Sequence, residues 1–268
     1  MGYRSWMDTV VRPRPGSQAT AHRLWLPRQH GAWAMLAVPL LLGIAVTEPN
    51  VWHAVLGAAA IAGYLASATA QTWVRARARQ RYTASLIAYV VAATVLGMAL
   101  VVTHPGLVLV VIVLVPAGVI TLVAAKLCRG RGVVAGFAQV VEALVLVPAA
   151  ASLAGPLDSA AVAKATLLAA VYLVGTLLAV RSVIREQGNT GFAVVSVGFH
   201  LAATAVGAIL LPLPFVVLLG LLALRAALLP IVQRCYRETV TPLRPVHVGM
   251  VEMVVATCVV GLAFVSPI

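Results

Sequence analysis

Five ionisable side chains fall inside long apolar stretches of this sequence: Glu142, Lys164, His200, Arg225 and Glu252. A charge placed in hydrocarbon is costly, so each raises a functional hypothesis by default. Gln139 precedes Glu142 by three residues, which puts an amide and a carboxyl on one helix face. Helical rise gives depths from the basic end of each stretch: roughly 13 Å for Glu142, 12 Å for Arg225, 10 Å for His200 and 8 Å for Glu252. Four groups at a shared depth on four helices point to one polar cavity open toward that end. The simpler alternative is charge compensation, with Arg225 paired to Glu142 or Glu252 only to hold helices together. Lys164 lies near the opposite end and reaches water by snorkelling.

More polar groups gather at the basic end. "PRQHGAW" (27–33) sets Arg28 and His30 directly before an apolar run. The small Gly31 and Ala32 that follow admit close approach of a helix or ligand, and Trp33 suits an interfacial anchor. Arg181 and Arg185 are four residues apart and share a helix face. "REQGN" (185–189) adds Glu186, a flexible glycine and Asn189, and "RPVHVGMVE" (244–252) adds Arg244 and His247 ahead of Glu252. The expected ligand-binding set is therefore Arg28, His30, Glu142, Arg181, Arg185, Asn189, His200, Arg225, His247 and Glu252, bordering a single cytoplasm-facing cavity. A competing use is an ion or proton path through Arg225, Glu142, Glu252 and His200. No internal repeat of the kind common in secondary carriers is visible. Metal or haem ligation through His30, His200 and His247 is a third option. No two of these histidines share an HxxxH spacing.

The elements that must position these groups are membrane helices. The chain is 62% hydrophobic and 10% charged, where a soluble domain carries about 25% charged residues. A span needs about 20 mostly apolar residues. Nine candidates follow, near 31–47, 52–73, 84–103, 106–125, 133–154, 159–180, 193–211, 215–233 and 247–266. The expected fold is all-α, a polytopic bundle forming a single domain over 25–268. Residues 1–24 form a basic, disordered cytoplasmic leader with no cleavable signal peptide.

The joins alternate in charge. Of the 19 Lys and Arg residues, 17 fall in the leader and in the joins on its side, "RARARQR" (75–81) among them. The opposite joins carry none; they hold Glu48, His104 and Asp158. The positive-inside rule then puts the N-terminus in the cytoplasm and the C-terminus outside the membrane. The net charge of +12 is thereby explained by topology. Nucleic-acid binding is not expected, for want of an aromatic platform or a soluble nucleic-acid fold. Cys128, Cys235 and Cys258 form no CxxC pair and are expected as free thiols.

The combination of "PRQHGAW" (27–33), "RSVIREQGN…SVGFH" (181–200) and "RPVHVGMVE" (244–252) resembles the YwiC-like family of bacterial membrane proteins, over most of the chain after about residue 24. That resemblance implies a membrane fold and little chemistry. Nine helices with this topology also resemble the UbiA superfamily of intramembrane prenyltransferases. Those enzymes hold Mg²⁺ and a prenyl diphosphate on Asp-rich motifs after helices 2 and 6. The matching joins here, 71–82 and 181–192, contain no aspartate and a single acid, Glu186. Mg²⁺ favours hard carboxylate ligands, so no Mg²⁺ requirement and no cofactor are expected. If the chain is an enzyme, it is a non-classical transferase. An arginine-rich version of the same cavity would suit an amphipathic anion, a lipid or an isoprenoid, because arginine grips phosphate or carboxylate without a metal.

Overall fold

The computed structural model describes Trp25 and residues 30–127, 132–155, 158–239 and 245–268. The leader expected over residues 1–24 lies outside them, as do Arg28, Cys128 and Arg244. Ten α-helices follow in order: α1 (His30–Ala45), α2 (Val51–Arg75), α3 (Gln80–Thr103), α4 (Val108–Lys126), α5 (Val133–Leu144), α6 (Leu146–Ala151), α7 (Ser159–Ile184), α8 (Thr190–Leu210), α9 (Leu213–Thr239) and α10 (Pro245–Val265). A 3₁₀ turn at Pro105–Leu107 joins α3 to α4. Counting α5 with α6 as one span, eight helical spans are long and apolar enough to cross a membrane. The ninth expected span, α1, has 16 residues, a rise of about 24 Å, and is shorter than the rest. The protein is an all-helical, multi-pass membrane bundle.

The break between α5 and α6 has a local cause. Pro148 has no N–H to give the carbonyl four residues back, and its ring crowds that carbonyl. The residue in question is Leu144, where α5 ends. The chain resumes at once, with the Ala149 amide donating to the Val145 carbonyl at 3.1 Å.

Helix α7 is the axis of one half. Its Ala165, Leu168, Ala169, Tyr172 and Leu173 pack with Val38 and Leu42 of α1, Phe215 and Leu219 of α9, and Val259 of α10. A second apolar cluster closes the bundle at the other side. Leu56, Leu100, Leu107, Leu146, Ala149, Ala150 and Leu153 meet there, all near the ends that carry no Lys or Arg. Helices α3 and α4 contribute little to either core and expose Val91, Val95, Met98, Ile112 and Val115. Such apolar faces suit lipid.

Polar caps fix the same ends. Asn50 caps α2, accepting from the Trp52 amide at 2.9 Å, and donates to the Leu153 carbonyl at 2.8 Å. The Asn50 amide donates to His53 Nδ1 at 3.0 Å, which leaves the proton on Nε2. That nitrogen lies 3.0 Å from the Ala150 carbonyl near the α6 C-terminus, which also accepts from the Leu153 amide at 3.1 Å.

Candidate functional site

Arg225 of α9 is buried against Glu252 of α10. Its Nη1 stands 2.5 Å from Glu252 Oε1, and the two side chains are 10% and 6% exposed. Thr176 of α7 donates its hydroxyl to Glu252 Oε2 at 2.9 Å. Both carboxylate oxygens are thus occupied, as a buried charge requires. Tyr172, one turn before Thr176, lies within electrostatic reach of both charges. His200 of α8, 2% exposed, lies within reach of Arg225. Its Nδ1 is 2.7 Å from the Ser196 carbonyl. A carbonyl only accepts, so Nδ1 carries the proton and Nε2 offers a lone pair. This ring faces Gly175, where a Cβ would come within 2.8 Å of Nε2. Four helices thus share one packed polar node. The pairing expected from sequence is made by Glu252, not by Glu142.

The 185–189 loop builds a second polar group at the membrane boundary. Arg181 Nη2 is 3.3 Å from Glu186 Oε1, and Asn189 Nδ2 donates to Glu186 Oε2 at 3.2 Å. Asn189 Oδ1 caps α8 by accepting from the Phe192 amide at 3.1 Å. Gly188 takes φ +82°, a left-handed value that glycine adopts without a Cβ penalty. Arg181 and Asn189 therefore act together to hold Glu186 and the turn. Arg185 is exposed beside them, and His247 is exposed on α10.

Glu142 sits elsewhere. It lines a cavity of about 470 Å³ bounded chiefly by α2, α3, α4 and α5, within the size range of small-molecule sites. None of Arg181, Arg185, His200, Arg225, His247 or Glu252 lines it. Of the eight expected positions whose side chains are described, Glu142 thus lines this cavity and the other seven lie outside its lining. His30 opens α1, with its side chain outside the described part, as Arg28 is entirely. The Trp25 carbonyl accepts from the Tyr89 hydroxyl of α3 at 2.6 Å. Cys235 and Cys258 are exposed on different helices, α9 and α10.

The cavity has a polarity gradient. Tyr64, Ser67 and Gln71 on α2, with Gln139 and Glu142 on α5, face it toward the Arg-bearing helix ends. Leu56, Leu100, Leu107, Leu146 and Ala149 line its other end and belong to the second apolar cluster. Gly63, Gly97 and Gly118 widen it, since a Cβ added at any of them meets nothing within 4 Å. Helix α3 packs on α2, while α4 packs on α5 and α2; α3 and α4 have no side-by-side packing beyond their shared turn. The cavity therefore lies where α3 and α4 stand apart. Sequence reasoning named Gln139 and Glu142 here but missed the α2 wall. The signal was present, because 64, 67 and 71 follow the i, i+3, i+7 spacing of one helix face. Likewise Tyr172 with Thr176, and Ser196 with His200, are i, i+4 pairs within apolar runs.

A family profile described as "YwiC-like protein" matches residues 26–151. The "Uncharacterized protein YwiC" of Bacillus subtilis (strain 168) is 32% identical over 177 residues, which is 66% of this chain and 74% of that protein. The chain belongs to the YwiC-like family. The span matched by the YwiC-like profile contains every cavity-lining residue, from Met35 to Ala149. The Arg225–Glu252 node lies beyond it. No solved structure matches the chain, and the likeness to UbiA prenyltransferases is not shown.

Proposed function

We propose that this YwiC-like protein resides in the bacterial plasma membrane with its Arg-rich face in the cytoplasm, and that it binds a lipid or isoprenoid in the α2–α5 cavity. The observation that carries the reading is the cavity's closed apolar end beneath a polar wall. An amphipathic molecule matches that gradient, with its chain among Leu56, Leu100, Leu107 and Leu146 and its head beside Glu142 and Gln71. The place where α3 and α4 stand apart supplies entry from the bilayer, so the ligand never has to cross water. The apolar plug speaks against a path reaching both faces, and so against the carrier alternative.

The arginines expected to hold an anion are committed in part to carboxylates, Arg181 to Glu186 and Arg225 to Glu252. Ligand selection on this reading therefore falls to the cavity wall itself.

The test fills the cavity without disturbing its walls. Gly97→Leu and Gly118→Leu place side chains into open space. Wild type and variants extracted directly into nanodiscs would be compared by untargeted lipid mass spectrometry. A lipid enriched on the wild type at near one per protein and lost from both variants is the expected outcome. Equal lipid content on all three proteins would refute the reading.

A further inference from the structure

Of the two acids deep within the spans, Glu252 has a cation beside it and Glu142 does not, among the described residues. Glu252 has Arg225 and, at the boundary, Glu186 has Arg181. Glu142 has neither Lys nor Arg in ion-pair contact among the described residues. Its protein partner is the Thr121 hydroxyl, 3.2 Å from Oε1. That hydroxyl also lies 2.9 Å from the Gly118 carbonyl. One hydroxyl proton cannot serve two acceptors at full strength. Glu142 is thus a half-buried carboxyl group with most of its hydrogen-bonding capacity unspent, and it faces the cavity.

We infer that Glu142 is the head-group selector of the cavity, and that the head it takes is a hydrogen-bond donor, a hydroxyl or an ammonium, rather than an anion. This rests on the lipid-binding reading above and adds to it the chemistry of the head. Three observations converge. The wall carries an acid and, among its lining residues, no Lys or Arg to neutralise a phosphate. Gln139, one turn before Glu142, brings an amide to the same wall, so a hydroxyl can donate to Glu142 and accept from Gln139. Across the cavity Gln71 Nε2 donates to Ser67 Oγ at 3.3 Å, which ties two further polar groups to each other and leaves Glu142 as the strongest acceptor. An anionic head there would lose its hydration with no Lys or Arg in the lining to replace it, which selects against it.

The experiment keeps the tail constant and changes the head. Delipidated full-length protein would be titrated with geranylgeraniol, geranylgeranylamine and geranylgeranyl monophosphate, with binding read by native mass spectrometry. The alcohol and the amine should bind about tenfold or more tighter than the phosphate, the scale of a hydrogen bond to a charged group. Glu142→Leu should erase that preference. Glu142→Gln, which keeps an acceptor oxygen but no charge, separates the two donors: it should spare the alcohol and weaken the amine. Gly97→Leu should abolish binding of all three and so controls for the cavity itself. Phosphate binding as tight as alcohol binding on the wild type, or an unchanged order in Glu142→Leu, would overturn the head-group inference and leave the cavity reading standing. Binding of none of the three to wild type, or of all three to Gly97→Leu, would overturn both.

Discussion

Arg225 commits Nη1 to Glu252 and keeps Nε and Nη2 buried without a hydrogen-bond partner among the described residues. Losing the guanidinium strands Glu252 with only Thr176 for company. Breaking a buried pair from one side typically costs about 3–5 kcal/mol, whereas replacing both partners by apolar groups is often neutral. Arg225→Leu should therefore lower the melting temperature sharply, and Arg225→Leu with Glu252→Leu should recover most of the loss. Equal melting temperatures for the single and the double variant would show that no charge is stranded. Arg181 and Glu186 are 15% and 27% exposed, between the surface and the buried case, so Arg181→Ala should cost about 1–3 kcal/mol. A larger loss in thermal unfolding would mean that the 185–189 turn depends on that pair. At this scale the sequence revealed which groups were unusual, but not who would meet whom. Arg225 had two candidate acids at similar depth, and only the placement of α10 against α9 and α7 decides for Glu252.

Glycines separate two kinds of helix contact. At Gly43 an added Cβ would stand 2.5 Å from the Val147 carbonyl and 2.7 Å from the Ala150 side chain. The backbone of α1 meets the backbone of Val147 and the side chain of Ala150 there, the close approach that small residues permit in membranes. Gly43→Ala should force them apart at a cost of about 1–3 kcal/mol. Gly97→Ala meets open space and should be neutral or stabilising by up to ~1 kcal/mol, the helix-propensity gain. The reverse order of melting temperatures would contradict the assignment of Gly43 to packing and Gly97 to the cavity. Hydropathy alone located the helices to within a few residues, because burial in lipid demands long apolar runs. It did not reveal the break at Val145. Pro148 was visible, yet prolines inside helices need not break them: Pro39 and Pro116 lie within continuous α1 and α4.

The whole molecule joins a well-packed half around α7 to a looser half in which α2–α5 enclose the cavity. The all-helical membrane class was legible from composition and spacing, since both follow from the solvent. The cavity was not, because it is a property of how α3 and α4 stand apart, and no single helix carries that information. Orientation rests on the charge of the joins, where Arg79 and Asp158 lie at opposite ends of the bundle's spans. Single cysteines placed at these two positions should react with an impermeant thiol reagent from opposite sides of the membrane. Labelling of both from one side would rule out the proposed topology. The claim on which the account turns is that the space between α2 and α5 holds a lipid. An electron cryo-microscopy map of the wild-type protein in nanodiscs made from native membrane tests it most directly. The account predicts elongated non-protein density between α2 and α5, with its tail against Leu56 and Leu146 and its head beside Glu142. A map in which α3 and α4 close side to side, with protein filling the space between α2 and α5, would contradict it.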